Sequence, residues 1–220
     1  MLRWTFCSVV LLPLLAATPD LHAADHVDGP AVQRDPAADI ADLFAWTTSD
    51  ADRINLVLTI PAAAFSDAVQ YAFRIESSEA YGQAGVVTDV ICTFNALQRV
   101  ECWVGDDDYV TGDASSETGL SSDSGLVKVF AGPRDDPFFF NSTGFNAVRT
   151  TVRDAAHALT FDGAGCPVLD ADTSQSLLAQ LATGTNTFVG SILALVLQID
   201  QRLINEGGDI VAVWGSTHRG

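Results

Sequence analysis

The sequence predicts an all-β or β-dominated fold, with sandwich-like antiparallel sheets and one or two short helices. Short apolar segments recur along the chain and are separated by turns rich in Gly, Pro, Asp and Ser. Residues 69–75 alternate in the manner of a strand with one buried face. Few segments show helical spacing of apolar residues, so strands are expected to dominate.

The composition describes a folded, acidic chain. Of its 220 residues, 48% are hydrophobic, which is enough to form a core and too many for a disordered chain. Its formal net charge of −17 repels nucleic acid and anionic membrane surfaces, so neither is expected as a partner. The partner is otherwise unknown, and a protein partner stays open.

The first residues predict a secretory signal peptide. A positive charge at Arg3 precedes an apolar run from Val9 to Ala17, and Ala23 and Ala24 supply a small-residue cleavage site. The run is too short to span a bilayer as a helix. We therefore expect a signal peptide over residues 1–24 and a single β-rich domain over residues 25–220. The mature protein is expected to be secreted or periplasmic, with no integral membrane segment.

The first half of the mature chain is predicted to hold an ordered loop and then five strands. Residues 25–39 are polar and contain Pro30 and Pro36, which favours the loop. Apolar runs or alternation between turns predict strands over residues 42–47, 54–60, 69–75, 86–94 and 99–104.

The second half is predicted to mix three strands with two helices. Residues 105–125 are acidic and rich in Ser and Gly without hydrophobic periodicity, so we expect a mobile surface loop there. Helical spacing predicts helices over residues 145–159 and 174–182. Strands are predicted over residues 126–131, 192–199 and 210–214.

The cysteines predict one disulfide. Cys7 lies in the signal peptide, whereas Cys92 and Cys102 lie on two short strands joined by a turn-like linker. A hairpin would bring these two cysteines face to face in an oxidising compartment, which predicts a Cys92–Cys102 disulfide. Cys166 is then left over, and a free buried thiol is the favoured interpretation. A swapped disulfide partner or an intermolecular link are the alternatives.

Three groups of residues carry a family resemblance: 25–30 with 35–46, 131–140, and 192–196 with 213–217. In this combination and order they resemble the domain-of-unknown-function 4331 family of bacterial secreted proteins. Its members often begin the mature chain with an Asp-His-x-Asp-x-Pro-type segment, as residues 25–30 do here. The resemblance spans nearly all of the mature chain, and it implies a grouping without a reaction.

A divalent-cation site is predicted where two proline-braced segments, far apart in the sequence, would fold into contact. Clustered carboxylates and loop carbonyls suit a hard cation such as Ca²⁺, the candidate cofactor. The predicted ligands or their orienting neighbours are His26, Asp28, Asp39, Asp42, Asp135 and Asp136. A purely structural interpretation stays open, in which Asp39 caps a turn and Asp135 or Asp136 pairs with an arginine.

Histidine suggests two further kinds of site. His26, His157 and His218 could converge with Asp28 on a transition metal, although no His-x-x-x-His or Cys-x-x-Cys spacing supports this. His26 beside Asp28 or Asp135 could instead serve as a general base. The sequence has no Gly-x-Ser-x-Gly motif, so a serine hydrolase of that type is not indicated.

Residues 138–140, three adjacent phenylalanines, also admit two interpretations. They pack beneath the long loops, or they form an apolar surface that contacts a protein partner together with residues 105–125. The sequence as a whole predicts a secreted binding or structural domain of unspecified role that holds a divalent cation. The alternative is an extracytoplasmic, hydrolase-like enzyme that uses His26 with a nearby Asp.

Overall fold

A computed structural model describes residues 29–137, 139–186 and 190–219 of the chain. Its strands, in chain order, are β1 (Asp42–Thr47), β2 (Arg53–Ile60), β3 (Val69–Ser78), β4 (Val86–Phe94), β5 (Val100–Val104), β6 (Asp108–Gly112), β7 (Leu120–Ser121), β8 (Val127–Asp135), β9 (Thr160–Phe161), β10 (Pro167–Val168), β11 (Ser191–Asp200) and β12 (Ile210–Arg219). The α-helices are α1 (Ser142–Ala155) and α2 (Ala171–Ala182). Short 3-10 helices span Pro36–Ala38, Ala156–Ala158 and Gln201–Leu203.

Two five-stranded antiparallel sheets form the body of the structure. The first sheet has the strand order β1-β2-β11-β8-β7 and the second has the order β12-β3-β4-β5-β6. Strands β9 and β10 form a separate small hairpin between the two helices. The predicted β-dominated, sandwich-like fold is therefore confirmed.

The core lies between the two sheets because each strand directs alternate apolar side chains inward. Leu56 and Leu58 of β2 and Tyr71 and Phe73 of β3 are fully buried. Strand β2 is largely apolar and lies inside the first sheet between β1 and β11, as its sequence predicts. Burial of these side chains is the main favourable contribution to folding.

The predicted Cys92–Cys102 disulfide is confirmed. The two residues lie directly opposite each other on β4 and β5, with their Cα atoms 4.1 Å apart. Cys166 is free, as predicted, but its expected burial is wrong, because it is exposed in the hairpin formed by β9 and β10. Asp162 there accepts hydrogen bonds from the backbone N–H groups of Ala164 and Cys166, which shape the turn.

The mobile loop predicted over residues 105–125 is a further correction. This segment contains β6 and β7, and it buries Val110 and Ala114 against the core. Ser122 and Ser124 donate hydrogen bonds to the carboxylate of Asp108 at 2.9 and 2.6 Å. Polar residues therefore order the turn before β8, and two isolated apolar side chains anchor the segment.

The helices lie between β8 and β11, within about the predicted residues. Asn141 caps α1 by accepting a hydrogen bond from the Gly144 N–H at 2.9 Å, as expected of an N-cap asparagine. Phe140 packs on Phe145 with 5.3 Å between ring centroids, whereas Phe139 is exposed. Phe138 lies outside the described residues, and no described helix is long and apolar enough to cross a membrane.

One end of the sandwich is closed by the segment that precedes β1. The Thr217 hydroxyl donates to the Ala38 carbonyl at 2.6 Å, and Arg219 pairs with Asp35 at 2.5 Å. A Cβ added at Gly215 would lie 2.7 Å from Leu58 Cδ2, so glycine permits close contact between the sheets here. The start of β1 and the end of β12 are therefore held together.

Candidate functional site

The predicted acidic site is only partly described. His26 and Asp28 lie outside the described residues. Asp39 is buried in the segment before β1, and Asp42 at the start of β1 accepts a hydrogen bond from the Thr59 hydroxyl at 3.2 Å. Asp39 ends the short 3-10 helix Pro36–Ala38, where its backbone N–H donates to the Pro36 carbonyl at 3.2 Å.

The other two predicted ligands lie at the far end of β8. Asp135 is exposed and pairs in register with Ser191, and the N–H of Asp136 donates to the Gly190 carbonyl at 3.3 Å. The neighbouring Arg134 guanidinium stacks over the Phe130 ring at 3.7 Å from its centroid. Arg134 therefore has an aromatic partner on its own strand.

Strand register separates the two halves of the predicted cation site. Asp42 on β1 is in register with Thr59 on β2, then Ala194 on β11, then Gly132 on β8. Three strand spacings amount to about 14 Å, and Asp135 lies three residues further along β8. A Ca²⁺ ion, whose oxygen ligands lie at about 2.3–2.6 Å, cannot bridge such a gap.

Over residues 29–137, 139–186 and 190–219, no three His, Cys, Asp or Glu side chains come close enough together to hold a metal ion. A cation site that involves His26 and Asp28 stays a prediction. His157 is exposed after α1, and His218 on β12 has its Nε2 atom 2.8 Å from the Ser216 hydroxyl. These two histidines lie on different elements, and His26 as a general base stays a prediction as well.

A different site lies at the end of the sandwich opposite the closed one. There the end of β1 and the start of β12 flank a cleft of about 700 Å³, which we call the corner cleft. Its floor is apolar, and its rim carries aromatic, charged and amide side chains. The floor is formed by Ile54, Ile204, Val211 and Val213. The rim includes Trp46, Asp50, Arg53, Tyr81, Gln201, Asn205 and Asp209.

The cleft is formed because the end of β1 and the start of β12, the edge strands of the two sheets, extend beyond the packed core. Leu43 packs against the core, and side chains two residues apart share a face of a strand, so Ala45 and Thr47 also face inward. Ala45 and Thr47 are nevertheless exposed, because no strand packs over them at this end. Trp46, between them, directs its side chain to the opposite face of β1 and is 52% exposed there, whereas Tyr81 is 89% exposed beside the cleft.

The cleft is also bordered by unpaired backbone groups of β1. Within the described sheets this strand pairs with β2 alone. The Thr48 N–H donates to the Arg53 carbonyl at 2.9 Å. In an antiparallel pair every second residue bonds to the partner strand, so this bond shows which residues of β1 bond to β2. Residues 44, 46 and 48 therefore bond to β2, and Ala45 and Thr47 direct their N–H and C=O groups away from the sheet.

The same alternation can be followed across the second sheet to β12. The Gly105 N–H donates to the Asp89 carbonyl at 2.9 Å, so Asp89 of β4 bonds toward β5. Because successive residues of a strand bond to opposite neighbours, Val90 bonds to Phe73 of β3. By the same alternation Arg74 of β3 bonds to Trp214 of β12. Val211 and Val213 then direct their N–H and C=O groups to the free edge. Among residues 29–137, 139–186 and 190–219, therefore, no strand pairs with either of the two edges that flank the corner cleft.

The rim of the cleft carries more negative than positive charge. Asp50 and Asp209 are acidic, and Arg53 is the basic residue among the lining residues. The Arg53 guanidinium donates to the Gly125 carbonyl at 3.1 Å, which draws it toward the turn before β8. The Thr48 hydroxyl and the Asp52 N–H donate to the Asp50 carboxylate and hold its pKa below the usual range, so it remains charged.

Another depression, of about 400 Å³, lies between the first turns of α1 and the end of α2. Its lining includes Asn141, Thr143, Gln180 and Thr183 and contains no charged or aromatic side chain. It therefore offers fewer kinds of contact to a ligand than the corner cleft does.

The corner cleft was not predicted from the sequence. Its lining comes from three separate stretches, namely residues 45–54, Tyr81 and residues 201–213. None of these contains a motif. The useful signal is Trp46, a large aromatic residue at the end of a strand that a polar turn follows.

Comparison with protein-family models, curated proteins and solved structures finds no match to this chain. The resemblance to the domain-of-unknown-function 4331 family therefore stays a prediction. The functional conclusion depends on the geometry of the site.

Proposed function

We propose that this protein is an extracytoplasmic ligand-binding domain and that the corner cleft is its binding site. The observation that carries the proposal is the convergence of the exposed Tyr81 ring, two carboxylates and outward-directed backbone groups around one apolar floor. The volume of about 700 Å³ falls within the range of about 300–1,000 Å³ that is usual for ligand sites.

The extracytoplasmic location has two supports. The pattern of residues 1–24 is that of a signal peptide. The Cys92–Cys102 disulfide is of a kind that forms and persists in oxidising compartments.

The experiment uses a pair of variants that add the same side chain to neighbouring edge strands. Ala45→Trp would fill part of the cleft, because the Ala45 side chain faces inward. Ala212→Trp is the matched control, because Ala212 is exposed on β12 and points to the opposite face from Val211 and Val213.

A library of saccharides, organic amines, carboxylates and short peptides is screened by thermal shift, and the hits are measured by calorimetry. We expect Ala45→Trp to weaken each specific hit by about tenfold or more, which corresponds to about 1.4 kcal/mol. We expect Ala212→Trp to leave the affinity unchanged. Hits that bind Ala45→Trp as tightly as the natural protein, or a library without hits, would contradict the proposed function.

A further inference from the structure

We propose that the occupant of the corner cleft is an extended peptide segment with cationic side chains. This inference rests on the proposed function of the cleft and specifies its ligand class. It combines three observations: the free strand edges, the charge of the rim, and the exposed ring of Tyr81.

The strand edges favour a peptide over a compact ligand. Ala45 and Thr47 on one side and Val211 and Val213 on the other each present one N–H and one C=O group at the free edge. An extended peptide can pair with such an edge, and these main-chain hydrogen bonds supply affinity. Stacked sheets lie about 10 Å apart, which is close to two strand spacings of about 4.8 Å, so one segment can lie near both edges.

The charges favour a cationic peptide. The cleft presents Asp50 and Asp209, and the whole chain carries a formal net charge of −17, which attracts cations over a longer range. Arg53 is drawn toward Gly125 by its hydrogen bond and leaves the two carboxylates available. The exposed ring of Tyr81 can receive a Lys or Arg side chain by cation–π contact.

The floor adds an alternating pattern. In an extended segment, successive side chains point to opposite sides. One set would contact the apolar floor at Ile204 and Val211, and the other set would face the acidic rim. The expected ligand pattern therefore alternates aliphatic and basic residues.

The test uses capped peptides of equal length. Ac-Lys-Val-Lys-Val-Lys-NH₂ is compared with its Glu-for-Lys and Ser-for-Lys analogues, and with a form that is N-methylated at alternate amides. We expect the Lys peptide to bind about tenfold or more tightly than the Glu peptide, and to bind more weakly as salt rises. N-methylation should weaken binding by a similar factor, because it removes the N–H groups that pair with an edge strand.

Two protein variants test the strand edges directly. Thr47→Pro removes an N–H that points away from β2, so it should leave the β1–β2 ladder intact. Thr111→Pro on β6 is the matched control, because the ladder alternation directs its N–H to the outer edge at the opposite side of the sandwich. We expect Thr47→Pro to weaken the Lys peptide by about tenfold and Thr111→Pro to have no effect.

The outcomes separate this inference from the proposed function. Equal affinity for the Lys and Glu peptides would overturn the cationic assignment. Equal affinity for the Lys peptide and its N-methylated form would overturn the extended-peptide assignment. If saccharides or other small ligands bind in a manner sensitive to Ala45→Trp while no peptide binds, the proposed function stands and this inference is wrong. The N-methylated peptide keeps the test valid even if Thr47→Pro fails to fold.

Discussion

The Tyr71 hydroxyl donates a hydrogen bond to the Ala37 carbonyl at 2.9 Å and accepts one from the Ser66 N–H at 3.0 Å. Tyr71 is fully buried, and burial raises the pKa of its phenol, so the hydroxyl keeps the proton that it donates. This contact ties the segment before β1 to the second sheet at the closed end of the sandwich. The corner cleft lies at the opposite end, where the edges of β1 and β12 are free.

Removal of this hydroxyl should destabilise the fold. We expect Tyr71→Phe to lower the free energy of unfolding by about 1–3 kcal/mol, because it leaves a partly buried carbonyl and a partly buried N–H without their partner. Urea denaturation measures the change. Tyr109→Phe is the control, because its hydroxyl donates to Glu101 at an exposed site and its loss should cost less than about 0.5 kcal/mol. Equal effects of the two substitutions would contradict the structural role given to Tyr71.

The disulfide and the free cysteine should respond differently to substitution. Replacement of both Cys92 and Cys102 by Ala should cost about 2–3 kcal/mol or more, because their cross-link closes a loop with a sequence separation of 10. Cys166→Ala should change stability by less than about 0.5 kcal/mol, since Cys166 is exposed. A thiol reagent should label the native protein at Cys166 without denaturant, and resistance to labelling would show that this thiol is covered.

An ion pair near the cleft gives stability a specific pH dependence. Arg202 donates two hydrogen bonds to the Asp200 carboxylate, at 2.8 and 2.9 Å, which lowers the pKa of Asp200 to about 2. In the unfolded chain the pKa of this carboxyl is about 3.9. The stabilisation that the ion pair gives is therefore fully present above about pH 4 and is lost as the pH falls toward 2. Because Arg202 is largely exposed, solvent screens the pair and the contribution should be small.

Asp200→Asn isolates that charge, because the amide oxygen can still accept the hydrogen bond from the Arg202 N–H. The variant should be less stable than the natural protein at pH 6, and the difference should shrink near pH 2.5. Chemical denaturation at both pH values measures it, with Asp123→Asn, in an exposed turn, as the control. A stability difference that is the same at both pH values would refute the assignment to the ion pair.

The register makes a prediction about any Ca²⁺ that binds. Asp42 and Asp135 lie about 14 Å or more apart, so one ion cannot use both carboxylates. The protein is first treated with EDTA, and the rise in Tm on addition of Ca²⁺ is then measured. If such a rise occurs, it should disappear in at most one of the variants Asp42→Asn and Asp135→Asn. Its loss in both would show that the two segments meet around one ion.

Sequence alone predicted the fold class and most strands because alternation and turn residues are local signals. The hairpin of Cys92 and Cys102 is the clearest case, since two short apolar strands flank a four-residue turn-like linker. The error over residues 105–125 has a physical cause. Val110 and Ala114 are separated by Gly112, which has no side chain, and lie in a segment rich in Asp, Ser and Gly, so their burial produces no detectable period.

The site was harder to predict because it depends on pairing between strands. The sequence predicts that β1 and β12 are strands. Which of their N–H groups are unpaired depends on which strands lie beside them in the sheets, and that order is known only from the structure. The distance between Asp42 and Asp135 likewise depends on two intervening strands, β2 and β11. The density of Asp residues near prolines, on which the cation site was predicted, indicates neither the free strand edges nor this distance.

Amide hydrogen exchange tests the central claim most directly. Without ligand, the N–H groups of Thr47 and Val211 should exchange rapidly, whereas that of Trp46, which bonds to β2, should be protected. Addition of the Lys peptide should slow exchange at Thr47, Val211 or both, because the peptide pairs with the free edges of the corner cleft. Protection that appears only at β6, or at none of the edge strands, would contradict this account.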